Sequence, residues 1–326
     1  MALEIEPYRL RLRTPFRSAL GVVHARDGFV VRLHEDGLVG VGEACIVPEL
    51  GTESFEECRM HLALPEPRTP SARHALSLAR LDLQAQREGA PLAKLLDPDA
   101  LAQVQVSAIL SSPAEAASAV RDGFGTVKLK AGLGDDVARV KAVREVVGPD
   151  VLLRIDANAV WSTAQALDRL RELAPYGLEL CEQPTADLRG LEGSPVPIAA
   201  DELVVTDFEA AVERAQIVVL KPMILGGVDK AYALGRRALA AGRRVLVTSS
   251  IDGAIARAAC AHLAAALSGR LPRAAALGAA DPVVRQQQQP AAGIATGRLL
   301  LDDVCEDALA PVSGVVRISS QPGLGL

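Results

Sequence analysis

At 326 residues, 49% of them hydrophobic, the chain is long enough for one large core with a smaller domain attached. A formal net charge of −5 and a pI near 5.7 argue against a nucleic-acid partner, which would draw on clustered Lys and Arg. The amino-terminal MALEIEPYRLRLRTPF lacks the apolar centre of a signal peptide, and no run of about 18 apolar residues suggests a membrane span, so a soluble cytoplasmic protein is expected.

In chain order, FVVRLHEDGLVGVGEA reads as two strands joined at Asp36-Gly37, and helical spacing follows over 54–96. These features predict a separate α+β domain over 1–100. From 103 onward, β-rich runs alternate with Ala-, Leu- and Arg-rich helical segments, the mark of parallel βα units in an α/β fold. The strand candidates are VQVSAIL (104–110), TVKLKA (126–131), VLLRIDA (151–157), LELCEQ (178–183), PIAADE (197–202), IVVLKP (217–222), RVLVTSS (244–250) and AAALG (274–278). Eight such units close a barrel. Ser162 is an N-cap candidate and Gly148 a helix stop. The barrel is expected over 101–281. Residues 282–326, with GIATGRLLLDD and VVRIS as returning strands, are expected to complete the amino-terminal domain. Cys45, Cys58, Cys181, Cys260 and Cys305 form no CxxC pair and read as reduced thiols, with Cys181 alone near candidate chemistry. No heptad or apolar stripe indicates an oligomeric state.

Charged residues collect at the carboxyl ends of successive strand candidates: Lys128 and Lys130, Asp156, Glu182, Asp201 and Lys221. In a βα barrel those ends converge on one mouth. Three carboxylates facing one point repel unless a cation neutralises them, and an all-oxygen set without His or Cys favours Mg²⁺, with Mn²⁺ as a workable substitute. Taken singly, each acid is also compatible with a helix cap or an arginine pair. The two-residue period of an extended segment sends Thr126, Lys128 and Lys130 to one face. Lys130, nearer the mouth, is expected to be a general base, its pKa lowered by a neighbouring cation, with Lys128 tuning it. Lys221 faces the same point from the opposite side, as a second base, a charge-stabilising cation or a structural partner of Asp201 or Glu182. Arg154 and Asn158 share the face of Asp156, and Ser249, Ser250 and Asp252 end the seventh strand, where they suit either a substrate carboxylate or turn capping. The expected partner is a small-molecule carboxylate.

Taken in order, VKLKAG, RIDANAVW, CEQP, ADEL, LKPMILGG and TSSIDG resemble the enolase superfamily, in its muconate-lactonizing-enzyme-like subgroup. The resemblance implies a modified TIM (β/α) barrel with an N-terminal α+β capping domain. It also implies that Asp156, Glu182 and Asp201 are ligands of Mg²⁺ and that Lys130 and Lys221 are the acid/base lysines. ADEL departs from the commoner ADES at Leu203 and leaves the metal assignment intact. Within the subgroup, RDGFVVRLHEDGLVGVGEACIVP and the compact length most resemble the o-succinylbenzoate synthases. These dehydrate 2-succinyl-6-hydroxy-2,4-cyclohexadiene-1-carboxylate through a metal-stabilised enediolate, as part of menaquinone biosynthesis. On this resemblance Arg26, placed in a loop before the first amino-terminal strand, reaches over the mouth to touch substrate, and Asn158, Ser249, Ser250 and Asp252 are further contacts. N-acylamino acid racemases and dipeptide epimerases share the metal and both lysines. Dipeptide epimerases usually carry an Asp-x-Asp pair after the eighth strand, whereas LGAADPVV offers only Asp281. A muconate-type cycloisomerase and an inactive metal-binding paralogue are the remaining alternatives; retention of both lysines argues against the latter.

Overall fold

A computed structural model describes residues 2–18, 20–269 and 289–326. The amino-terminal sheet is a meander of β1 (Ala2–Ser18), β2 (Gly21–Glu35) and β3 (Leu38–Cys45), all antiparallel. The strand β1 has no counterpart among the predicted elements, although LEIEPYRLRLR alternates apolar and charged residues as an antiparallel strand with one solvated face does. Asp36 (φ 50°) and Gly37 (φ 80°) form the expected tight turn. α1 (Phe55–Leu62) and α2 (Pro70–Arg87) cover one face of the sheet. Contact is closest at Gly40 and Gly42, where a Cβ would lie 2.1 and 2.0 Å from the carbonyl oxygens of Ala79 and Ala75. α3 (Leu92–Leu96) leads into the barrel.

Next come β4 (Gln103–Gln105), β5 (Ala108–Leu110), α4 (Ala116–Arg121), β6 (Thr126–Lys130), α5 (Asp136–Val147), β7 (Leu152–Asp156), α6 (Thr163–Leu173) and β8 (Leu178–Glu182). They are followed by β9 (Ile198–Ala200), α7 (Glu202–Thr206), α8 (Phe208–Arg214), β10 (Ile217–Leu220), α9 (Pro222–Leu225), α10 (Val228–Ala240), β11 (Arg244–Val247), α11 (Ala254–Ser268) and β12 (Val315–Arg317). Local signals set the helix ends. Ser162 makes a reciprocal capping box with Gln165 at α6, and Gly148 (φ 74°) ends α5.

Strands β5 to β11 form one parallel seven-stranded sheet in the order β11-β10-β9-β8-β7-β6-β5. The candidate eighth strand at 274–278 lies outside the described residues. The closing position is held by 291–293: Ala292 bridges Val106 on one side and Gly293 bridges Thr248 on the other. Val315–Arg317, expected to pack on the amino-terminal domain, pairs instead with Gln103–Gln105. Contact with that domain is made by Leu300, which bridges Leu12 on β1, by Asp302, which pairs with Arg11 (2.8 Å), and by the Leu324 amide, which donates to Asp82 on α2 (2.8 Å). Alternation along each strand divides the side chains. Val127 and Leu129 join the helices in the main core, while Leu180, Ala199, Ile217, Val219 and Leu246 fill the barrel interior. No helix among the described residues is long and apolar enough to cross a membrane.

One buried histidine ties the carboxyl-terminal segment to this core. His262, on α11, accepts from the Ala93 amide through Nδ1 (3.0 Å) and donates from Nε2 to the Leu324 carbonyl (3.1 Å), which fixes the neutral tautomer. Burial pushes its pKa down from 6.5 to about 4. Below pH 6.5 the unfolded chain binds a proton there that the folded chain refuses until about pH 4, so stability falls across that window on acidification. Urea titrations of His262→Asn should show this dependence weakened by up to about 1.4 kcal/mol per pH unit; an unchanged slope would exclude His262 as its source.

Candidate active site

The inward parity that buries Leu180, Ala199 and Val219 carries Glu182, Asp201 and Lys221, each two residues further along, into the barrel mouth. A carboxylate oxygen from each of Asp156, Glu182 and Asp201 lies within 4.8 Å of the others, and all three side chains are buried. Mg²⁺ holds its oxygen ligands at about 2.0–2.1 Å, so this spacing needs only a small inward shift to receive one. A second observation supports the fit: Glu182 Oε1 is buried with no hydrogen-bond partner, an acceptor left free.

Three ammonium groups balance the acids. Lys128 Nζ lies 2.5 Å from Glu182 and 2.8 Å from Asp156, Lys130 Nζ lies 2.6 Å from the same Asp156 oxygen, and Lys221 pairs with Asp201. Two of these lysines are held in their charged form. Burial pulls Lys128 down, but Asp156, Glu182 and Asp201 outweigh it and hold the group above its usual range. Lys221 is raised in the same way, burial being overcome by Asp201 and Glu202. Burial and Asp201 push Glu202 up to about 7.

Supporting residues surround the cluster. Asn158 accepts from Lys130 Nζ (2.8 Å) and donates to Glu202 (3.0 Å), so its described bonds orient the lysine. Gln183, which the sequence reading passed over, accepts from the Asp201 and Leu203 amides and donates to the carbonyls of Thr185 and Ala186. Only its place beside Glu182 hinted at this role. Just beyond β7, β8 and β11, Asn158, Gln183 and Ile251 have φ of 45°, 36° and 63°, and such strain tends to gather at functional sites. Arg154 does not touch Asp156; it pairs with Glu179 (2.6 Å) and the Ala291 carbonyl (2.7 Å), fastening the barrel closure.

Beside the acids lies a cleft. Phe16, Leu20, Val23, Ile109 and Ile251 give it an apolar wall, while Lys128, Glu182 and Lys221 mark its reactive end. Arg26 lines it from within β2, not from a preceding loop, because β2 begins at Gly21. Its guanidinium pairs with Glu49 at 2.7 Å and leaves Nε buried and unpartnered. Thr248 and Ser250 line the cleft with buried hydroxyls that lack partners, whereas Ser249 bonds Thr296 (2.8 Å). Asp252 accepts from the Ser250 amide (3.0 Å), the turn-capping option, and burial raises its pKa to about 6. Cys181 is buried and its thiol pushed well up, first by burial and then by Asp156 and Glu182, which makes it a poor nucleophile.

The family described as enolase C-terminal domain-like matches residues 112–326. The L-Ala-D/L-Glu epimerase of Bacillus subtilis (strain 168) is 32% identical over 310 residues, covering 81% of this chain and 84% of that protein. The o-succinylbenzoate synthase of Thermobifida fusca (strain YX) is 38% identical over 224 residues, 63% of each chain. The solved dipeptide epimerase of Enterococcus faecalis V583, complexed with Mg and L-Leu-L-Tyr, superposes with a TM-score of 0.85 at 27% identity, over 99% of this chain and 98% of that one. With the acid triad and its lysines gathered at the mouth of a parallel barrel, these matches establish that the chain belongs to the enolase superfamily, among its muconate-lactonizing-enzyme-like members.

Proposed function

We propose that this enzyme dehydrates 2-succinyl-6-hydroxy-2,4-cyclohexadiene-1-carboxylate to 2-succinylbenzoate. The carrying observation is the segment that closes the barrel. Residues 293–296 read Gly-Ile-Ala-Thr and bring no carboxylate to the cleft, and the acids described along its wall are Glu49, already paired with Arg26, and Glu182 of the triad. Among the described residues, which do not include Asp281, a dipeptide would find no dedicated counter-charge for its desolvated ammonium, at a cost of several kcal/mol. The dehydration substrate has no amine. Its ring suits the apolar wall, and its second carboxylate has as a donor the Arg26 Nε that the pair with Glu49 leaves unpartnered.

In this reading Asp156, Glu182 and Asp201 hold Mg²⁺, or Mn²⁺ in its place, and the bound cation supplies Lewis-acid stabilisation of the negative charge that develops on the substrate carboxylate. Asp156 and Asn158 aim Lys130 Nζ, which in its neutral form takes the proton next to that carboxylate. The electron pair of the broken C–H bond forms the ring double bond as the C–O bond breaks, and Lys130 returns its proton to the departing hydroxide, giving water. Lys221 acts as a fixed cation on the other side, and Lys128 keeps Asp156 and Glu182 together.

Proton transfer between the two faces of an α-carbon, as in an epimerase or N-acylamino acid racemase, is the second reading. It is favoured by Lys130 and Lys221 approaching from strands separated by β7, β8 and β9, and by the longer match to the Bacillus subtilis epimerase. The enzyme with Mg²⁺ should be given the cyclohexadiene, with dehydration followed in the ultraviolet, and in parallel N-succinyl amino acids and L-Ala-L-Glu in deuterated water. Dehydration with a kcat/KM at least about tenfold higher is expected, a gap of about 1.4 kcal/mol; the opposite order would replace this assignment by the second reading.

A further inference from the structure

We propose that Glu43, on β3 of the amino-terminal sheet, is a positioning residue that fixes the cleft wall at 248–252 by capping the helix that follows it. Its side chain is buried and crosses to the barrel, where Oε1 accepts from the Gly253 amide (2.6 Å) and Oε2 from the Ala256 amide (2.9 Å). Tyr8 on β1 donates to Oε1 as well (2.8 Å). Gly253 is shaped for this contact, since a Cβ there would stand 2.8 Å from both carboxylate oxygens. On the other flank Asp303 takes the Ala254 amide (2.7 Å), while Arg257 holds the Asp252 carbonyl (2.7 Å) together with Asp303 and Asp307. The four residues before Asp252 line the cleft, among them the unpartnered hydroxyls of Thr248 and Ser250 and the strained Ile251. Strain of this kind persists only where the surroundings hold it. The amino-terminal domain therefore sets the shape of a pocket wall to which Glu43 itself does not contribute.

Three donors converge on one carboxylate, an arrangement that suits the ionised form. The groups facing it are Tyr8 from β1, Cys45 from its own strand, Asp252 from the cleft segment, Cys260 from α11 and Cys305 from the carboxyl-terminal segment, while the His74 ring on α2 meets the Glu43 carbonyl at 2.8 Å. Burial and then Asp252 push Glu43 up to about 7, so the cap is complete above neutrality and loosens as pH falls.

The inference rests on the cleft being the substrate pocket. Glu43→Gln should raise KM about tenfold or more with kcat within about threefold and Mg²⁺ affinity unchanged, because shape is lost and chemistry is not. Wild-type KM should rise between pH 8 and 6, and the variant's should rise by clearly less. A KM and pH profile matching wild type, or a loss confined to kcat, would overturn the proposal. Should the variant fail to fold, hydrogen exchange on the wild-type protein decides, whichever substrate it turns over. Corrected for intrinsic rates, protection of the Gly253 and Ala256 amides should drop about tenfold more between pH 8 and 6 than that of α6 amides; equal changes would refute the cap.

Discussion

Lys130→Ala is expected to lower kcat/KM by about a thousandfold or more, in line with loss of a positioned general base worth about 10²–10⁴ in rate. The variant should still fold, because Asp156 keeps Lys128 at 2.8 Å when Lys130 is gone. Lys221→Ala is expected to cost about 10²–10³ if that lysine stabilises charge without moving a proton. The pair of variants also separates the two functional readings. In a two-base epimerase each would still exchange the α-proton of one enantiomer with deuterated water, and each would lose the other enantiomer. In a dehydratase Lys130→Ala alone abolishes proton removal. Steady-state rates and proton NMR in deuterated water, with circular dichroism to confirm folding, are the measurements. Full activity in both variants would remove the lysines from the chemistry.

Stripping divalent cations with a chelator should reduce turnover by about a thousandfold or more, equivalent to about 4 kcal/mol of transition-state stabilisation, within the several kcal/mol that a Lewis acid supplies. Mg²⁺ should restore it and Mn²⁺ should substitute, while Zn²⁺, which prefers tetrahedral nitrogen and sulfur donors, should restore little. The fold should survive chelation. Lys128, Lys130 and Lys221 already neutralise Asp156, Glu182 and Asp201, so removal of a cation leaves ion pairs in place of bare repulsion. Turnover and far-ultraviolet circular dichroism should be read on the same dialysed sample. Undiminished turnover in chelator would end the metal assignment.

Much of this molecule was legible in the chain because its signals are local and periodic. The two-residue alternation that places Lys128 with Lys130 and Val127 with Leu129 fixes which side chains enter the barrel, and it holds in the structure. Ser162 and Gly148 mark helix ends by chemistry contained within a few residues. Acids and lysines spaced by one βα unit could be assigned to one mouth before any coordinates, since a closed parallel barrel brings strand ends together whatever its loops do.

What lay beyond the sequence depends on long-range pairing. Short segments such as 291–293 become barrel strands only by finding Val106 and Thr248, and nothing in AAGIAT announces that choice. Glu43 reads as one acid in a GVGEA strand, and its role follows from reaching Gly253 and Ala256, more than two hundred residues away. Asp252 and Arg154 turned to the backbone and to Glu179, since a buried polar group takes whichever partner the packed fold supplies. The sequence by itself determined which acids and lysines stand at the strand ends and which face of each strand presents them; the tertiary structure alone decided what closes the barrel, what shapes the cleft and which charges meet, because those depend on contacts between residues that no local pattern links.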